Sequence, residues 1–295
     1  MEIRPSYEEF EKLAAEYACI PLSTDFLSDF TTPIETMRRL KKAYKHCFML
    51  ESARADDRWG RYTFLGFDPK LEITCTGGKM RVNEKSFETE NPSQYLRELM
   101  AEYRAPRFSY LPPFAGGLVG YFSYDYLHYS EKAIKCKAKD TENFKDVDLM
   151  LFDKVIAFDN VKQRITVIAN AKNSKEGYEA AKAELLAMKE LIMNGEKETE
   201  LSGRLTGPVT PLFDKERFCS MVEKAKGHIK EGDIFQIVLS NRLSAPFEGS
   251  LFDTYRVLRT INPSPYMFYF SGLDVEVAGA SPETLVKLSD GVLHT

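Results

Sequence analysis

The chain has 295 residues, 43% of them hydrophobic and 28% charged, with a net charge of −4. This is the composition of a globular protein with a sizeable core. Slight acidity, without a basic run carrying interleaved aromatics, gives no electrostatic case for nucleic acid. No apolar run approaches the length of a membrane span, and the acidic, amphipathic first residues are unlike a secretory signal. Five cysteines, at positions 19, 47, 75, 136 and 219, are scattered and lack Cys-x-x-Cys spacing. They suit a reducing cytosol and argue against zinc. The four histidines, at 46, 128, 228 and 294, show no ligand spacing.

In chain order, Ser6-Tyr7-Glu8-Glu9 has capping-box spacing and predicts a helix burying Phe10, Leu13, Ala14 and Tyr17. Thr32-Pro33 opens a second helix, with Ile34, Met37, Leu40 and Tyr44 on its apolar face. A strand at Cys47 to Leu50 ends in Glu51-Ser52, and a charged loop runs through Trp59. Arg61 to Leu65 and Leu71 to Cys75 read as strands, the second turning at Thr76-Gly77-Gly78 into Met80 to Val82. Asn91-Pro92 caps a helix with Tyr95, Leu96, Leu99 and Met100 inward. Gly116-Gly117-Leu118-Val119-Gly120-Tyr121 is not Gly-x-Gly-x-x-Gly and precedes no strong helix. It reads as a strand whose glycines admit a close backbone approach. Leu149 to Phe152, Val155 to Phe158 and Arg164 to Ala169 are strands, followed by a charged helix from about Ser174 to Met193.

The apolar pattern lapses from Asn194 to Pro211, which predicts a linker between residues 1–193 and 212–295. Phe218, Met221, Val222, Ala225 and Ile229 then form a helical stripe that ends at Gly232. Ile234 to Leu239 is apolar enough for a central strand, with Gln236 on the face of Ile234 and Val238. A carboxamide there is either a satisfied core glutamine or the lining of a wet cavity. Ser250-Leu251-Phe252-Asp253 opens a helix burying Leu251, Tyr255 and Leu258, and Asn262-Pro263 stops it. Tyr266 to Phe270 and Val275 to Ala278 read as paired strands, and Ser281-Pro282-Glu283 as a helix start. Leu285 to Leu288 and Val292 to Thr295 form a hairpin about Ser289-Asp290-Gly291. That hairpin leaves an unpaired edge, so Thr295 is expected to be a truncation and not a natural end. The architecture is α+β, with mainly antiparallel sheets and packed helices.

Taken together, several of these stretches resemble the large component of anthranilate synthase, a chorismate-utilising enzyme. They are Met49-Leu50-Glu51-Ser52, Arg61-Tyr62-Thr63-Phe64-Leu65-Gly66, Gly116 to Tyr121, Gly232 to Ser240, Asn262 to Tyr269, and Gly279-Ala280-Ser281-Pro282-Glu283. The resemblance implies two subdomains forming an incomplete chorismate-enzyme-type sandwich. Residues 1–193 would be the N-terminal regulatory domain and 212–295 the start of the chorismate-binding domain. It also implies a cytoplasmic lyase that aminates chorismate and eliminates pyruvate, with Mg2+ and with ammonia from a partner glutamine amidotransferase subunit.

The family's inhibitor site for L-tryptophan maps onto Ser52 and onto Pro265, Tyr266 and Met267. Pro265 and Met267 offer apolar and polarisable faces to an indole. Ser52 can hydrogen-bond the zwitterion, and Glu51 can balance an ammonium group. Related enzymes that add water to chorismate usually carry a lysine base where this chain has Gln236. An amide does not titrate usefully, so Gln236 suits an enzyme whose nucleophile arrives as ammonia. Aminodeoxychorismate synthase and a non-catalytic tryptophan-binding module are the alternatives. The family's catalytic histidine and Mg2+-binding glutamates match no residue here, so no metal ligand is assigned and the chain alone is expected to be inactive.

Overall fold

In a computed structural model the chain forms two compact units, Met1–Thr199 with Tyr255–Thr295, and Glu200–Thr254. The structure describes residues 2–53, 60–134, 140–199, 203–289 and 291–295. Trp59, Cys136, Asp290 and residues 200–202 of the expected linker lie outside them. Among the described residues, no helix is long and apolar enough to cross a membrane.

In the first unit two antiparallel sheets face one another. Seven strands run in the order Cys19–Leu27, Arg164–Lys172, Lys154–Asp159, Tyr62–Phe67, Cys47–Glu51, Tyr266–Ser271 and Glu276–Ser281. Five more run Lys85–Glu88, Lys79–Val82, Leu71–Thr76, Val147–Phe152 and Gly117–Phe122. Met150 and Phe152 from the smaller sheet pack with Phe48, Phe64, Val155, Ala157, Ile168 and Phe270 from the larger to fill the interior. Burying each such side chain is worth roughly 1.5–3 kcal/mol, which is why alternate strand positions turn inward together.

Helices cover the outer faces where the capping signals place them. Ser6 accepts the Glu9 N–H while the Glu9 carboxylate takes the Ser6 N–H, closing a capping box on Tyr7–Leu13. Thr32 caps Pro33–Ala43 and Ser174 caps Lys175–Asn194, burying Met37 and Leu40 on one and Leu185, Met188 and Ile192 on the other. Asn91 caps Pro92–Glu102, whose Leu96 and Leu99 pack on Ile73, Cys75 and Met80. In Gly117–Phe122, a Cβ on Gly120 would fall 2.0 Å from the Asp148 carbonyl oxygen. The glycine there is a close-approach residue, as the sequence suggests.

Three expectations need correction. The edge strand Cys19–Leu27 was not foreseen, because Pro21 and a Ser-Thr-Asp run obscure its alternation. Proline is acceptable there because this is the outermost strand of its sheet, paired along its length with Arg164–Lys172 and bridged on its outer side by Arg4 at Ser23 and not at Pro21. Pro282 and Glu283 begin no helix: five residues separate Glu276–Ser281 from Lys287–Ser289, barely more than one helical turn. Ile234 to Leu239 is not a central strand. The stretch is irregular, Phe235, Ile237 and Val238 are exposed, and among the described residues no strand pairs with it. Its apolar pattern records what burial would favour, but a strand also needs a partner for its backbone.

The second unit is built on Lys215–Glu231, capped by Asp214 and ended by Gly232 in the left-handed conformation at φ 81°. Its pairings are two residues long, Arg204–Leu205 with Phe247–Glu248 and Thr210–Pro211 with Leu243–Ser244. This unit runs from Glu200 to Thr254, and the chain returns to the first unit at Tyr255. Strand pairing makes that return, since Tyr266–Ser271 joins Cys47–Glu51.

Candidate functional site

The antiparallel register sets Met267 opposite Glu51 and Phe268 opposite Leu50. The end of one strand therefore lies beside the start of the other, and the Ala53 N–H donates to the Ser264 carbonyl at 3.0 Å just beyond them. At this junction a cavity of about 760 Å³ opens. Leu50, Glu51 and Ser52 line it together with Pro265, Tyr266, Met267 and Phe268. The next strand adds Tyr62 and Phe64, whose rings lie 5.7 Å apart, and residues 282–287 close another side. All five residues expected at an amino-acid site, Glu51, Ser52, Pro265, Tyr266 and Met267, thus border one cavity.

Side-chain alternation divides the work among them. Leu50 is the cross-strand neighbour of both Phe64 and Phe268, and Tyr62 and Tyr266 are two residues along their strands on the same face. This aromatic face suits a flat apolar ring. The Tyr266 and Thr284 hydroxyls are hydrogen-bonded to each other at its rim. Gly279 stands opposite Phe268, and a Cβ there would lie 2.2 Å from the Phe268 ring, so a side chain at this position would have to displace that ring. Glu51 and Met267, directly opposite one another, share the other face of the sheet.

On that other face Glu51 is fully engaged. Arg259 grips its carboxylate at both oxygens, Nε to Oε1 and Nη2 to Oε2, each at 2.8 Å. The Tyr255 hydroxyl donates to Oε1 at 2.6 Å. Burial, reinforced by the charge of Glu51, pushes the Tyr255 phenol far above its ordinary range, so it stays a donor. Tyr269 is held similarly: Lys41 Nζ lies 2.6 Å from its hydroxyl and 3.1 Å from Glu276, and the hydroxyl donates to Glu276. Sequence reasoning missed Arg259. Tyr255 and Arg259 are four apart in Leu251–Ile261 and so share a helix face. A buried tyrosine needs a partner for its hydroxyl, and that need was the available signal.

Gln236 lies in the second unit, exposed and outside any strand. For a divalent cation, the described residues offer one group of neighbouring acids and imidazoles, His228, Glu231 and Asp233. The His228 ring nitrogen is 2.8 Å from Asp233, and Glu231 and Asp233 are exposed. Magnesium favours oxygen donors at close to octahedral geometry, so this surface pair with an imidazole does not fit it.

A family model described as chorismate binding enzyme matches residues 45–295. The chain belongs to that family. Among the relatives of this chain is anthranilate synthase component 1 of Pseudomonas aeruginosa, 35% identical over 97% of this chain and 61% of that protein. The component 1 of Aquifex aeolicus is also 35% identical, over 100% of this chain and 62% of its own length. The chain therefore spans about three-fifths of the curated relatives it matches. Anthranilate synthase component I from Streptococcus pneumoniae superposes with a TM-score of 0.68 at 31% identity, over 91% of this chain and 59% of that one. The menaquinone-specific isochorismate synthase of Escherichia coli shares the fold, with a TM-score of 0.51 at 14% identity over 95% and 55%. The antiparallel α+β architecture expected from the sequence is thus the architecture of this family.

Proposed function

We propose that this chain belongs to the large component of an anthranilate synthase and that its cavity binds L-tryptophan as a feedback inhibitor. The observation that carries this reading is the convergence of Ser52 with Pro265 and Tyr266 on one aromatic-walled cavity. Tyr62, Phe64 and Phe268 supply apolar surface for an indole, and Ser52 supplies a hydroxyl for the polar end. The whole protein would convert chorismate and ammonia to anthranilate and pyruvate in the cytoplasm. It would use Mg2+ and a glutamine amidotransferase subunit as ammonia source. Gln236 supports amination over water addition, because an amide cannot serve as a base. The chain spans three-fifths of its relatives, and by itself we expect it to bind the inhibitor without turning over chorismate.

Calorimetric titration of the chain with L-tryptophan, L-phenylalanine and D-tryptophan tests the inhibitor site. Saturable one-to-one binding of L-tryptophan, weakened by Ser52→Ala and by Phe64→Ala, is the expected result. Absence of binding, or binding indifferent to both substitutions, overturns the reading. For the lyase, anthranilate fluorescence from the full-length protein with chorismate, ammonia and Mg2+ is the direct assay.

A further inference from the structure

The sequence makes Glu51 the natural partner for an ammonium group, and the geometry argues otherwise. Its neighbour Leu50 stands with Phe64 and Phe268 on the cavity face, so alternation turns the Glu51 side chain to the opposite face. There Arg259 takes both carboxylate oxygens and Tyr255 takes one of them a second time. The carboxylate side chain is 9% exposed. A carboxylate offers about four lone-pair sites, and three are committed to fixed donors from a single helix. Rotating it toward the cavity would break all three of these charge-assisted hydrogen bonds, a cost that folded proteins rarely bear in a buried site.

We propose that Glu51 is a positioning residue of the cavity and not the ligand's ammonium partner. It ties the Leu251–Ile261 helix to the end of the Cys47–Glu51 strand, and so fixes where Ser52 and the facing Pro265 to Met267 segment stand. A bidentate Arg–carboxylate pair suits this task because its two parallel hydrogen bonds define an orientation as well as a distance. The inference rests on the tryptophan reading of the cavity and specifies which part of that ligand Glu51 does not touch.

The test compares two ligands on one chain. L-Tryptophan and indole-3-propionate share the indole and the carboxylate, and only the first carries an ammonium. Dissociation constants for both are measured on the 295-residue chain and on Glu51→Gln. A positioning role predicts that both ligands weaken by a similar factor, about tenfold, with their ratio kept within about twofold. Arg259→Met should reproduce this pattern, and adding it to Glu51→Gln should cost little more, since the two side chains act as a unit. A selective loss of L-tryptophan, with indole-3-propionate unchanged or silent throughout, overturns the proposal. So does a fall in Tm with neither affinity altered, which would make the clamp purely structural. If Glu51→Gln does not fold, Tyr255→Phe removes one of the three hydrogen bonds and should weaken both ligands equally by a smaller factor. Failure of the parent chain to bind either ligand would sink the tryptophan reading itself, and this proposal with it.

Discussion

Two glycines in the larger sheet meet aromatic rings at nearly the same distance, and substituting each by alanine should have different consequences. A Cβ on Gly66 would lie 2.1 Å from Phe48 Cε1, and one on Gly279 would lie 2.2 Å from Phe268 Cζ. Neither glycine has a positive φ, so alanine brings no backbone strain and restores about 0.5–1 kcal/mol of chain entropy. Overpacking works against that gain, typically by ~1–3 kcal/mol. Phe48 is 0% exposed and surrounded by Phe114, Phe152 and Phe64, so its ring has nowhere to go. Gly66→Ala should therefore lose a net ~1–2 kcal/mol. Phe268 borders the cavity and can swing into it, so Gly279→Ala should fall within about 0.5 kcal/mol of the parent. The displaced ring would then occupy ligand space, and L-tryptophan affinity should drop about tenfold or more. Urea denaturation followed by circular dichroism gives the first pair of numbers and calorimetry gives the second. Equal stability losses, or a stable Gly279→Ala with undiminished binding, would refute the argument that free volume beside the ring decides the outcome.

Two further outcomes follow from the charged and nucleophilic groups. Burial pushes the Cys47 thiol up to about 12 and the Cys19 thiol to about 11, so both stay protonated at pH 8 in the folded chain. Iodoacetamide mapped by mass spectrometry should modify exposed Cys219 quickly and Cys19, Cys47 and Cys75 only on unfolding; rapid native labelling of Cys47 would contradict the burial argument. Burial would raise the Asp159 carboxyl, but Arg61 and the Lys162 and Val161 N–H groups outweigh it and hold it below its ordinary value. A depressed carboxyl contributes stability above its unfolded pKa of about 3.9 and loses it as pH falls through the folded value. Asp159→Asn should therefore be less stable than the parent at pH 7 and converge with it in acid, and a gap that stays constant from pH 7 to pH 2.5 would exclude this linkage.

Local signals carried most of the fold into the sequence. Capping residues Ser6, Thr32, Asn91 and Ser174 mark helix starts because each side chain meets an N–H of the first turn, a contact that depends on nothing distant. Strand existence was less legible wherever it depended on a partner. Cys19–Leu27 hides behind Pro21 until its edge position is known, and Ile234 to Leu239 looks like a core strand until no pairing strand is found among the described residues. In the cavity, the resemblance named Ser52, Tyr266 and their neighbours, but which of them turns toward the cavity depended on register. Glu51 and Ser52 are adjacent in sequence, yet Glu51 turns to the Leu251–Ile261 helix. One residue of strand alternation separates a cavity-lining position from an anchored one.

That register also explains why the site depends on so much of the chain. Tyr255 and Glu51 are 204 residues apart, yet their hydrogen bond lies at the floor of the same junction where Met267 pairs with Glu51. Loop-closure entropy rises only logarithmically with separation, so the distance itself adds little beyond what a shorter excursion would cost. What the distant pairing does require is an acceptor already shaped to receive it. Cys47–Glu51 pairs on its other side with Tyr62–Phe67, a local hairpin that can form before residues 255–281 arrive. The aromatic wall of Leu50, Tyr62 and Phe64 thus comes from local pairing, whereas Pro265 to Phe268 and the Arg259–Tyr255 clamp come from the distant one. A cavity whose walls come from a local and a distant pairing is complete only when both are formed, and any ligand that spans both must favour the distant pairing by its own binding free energy.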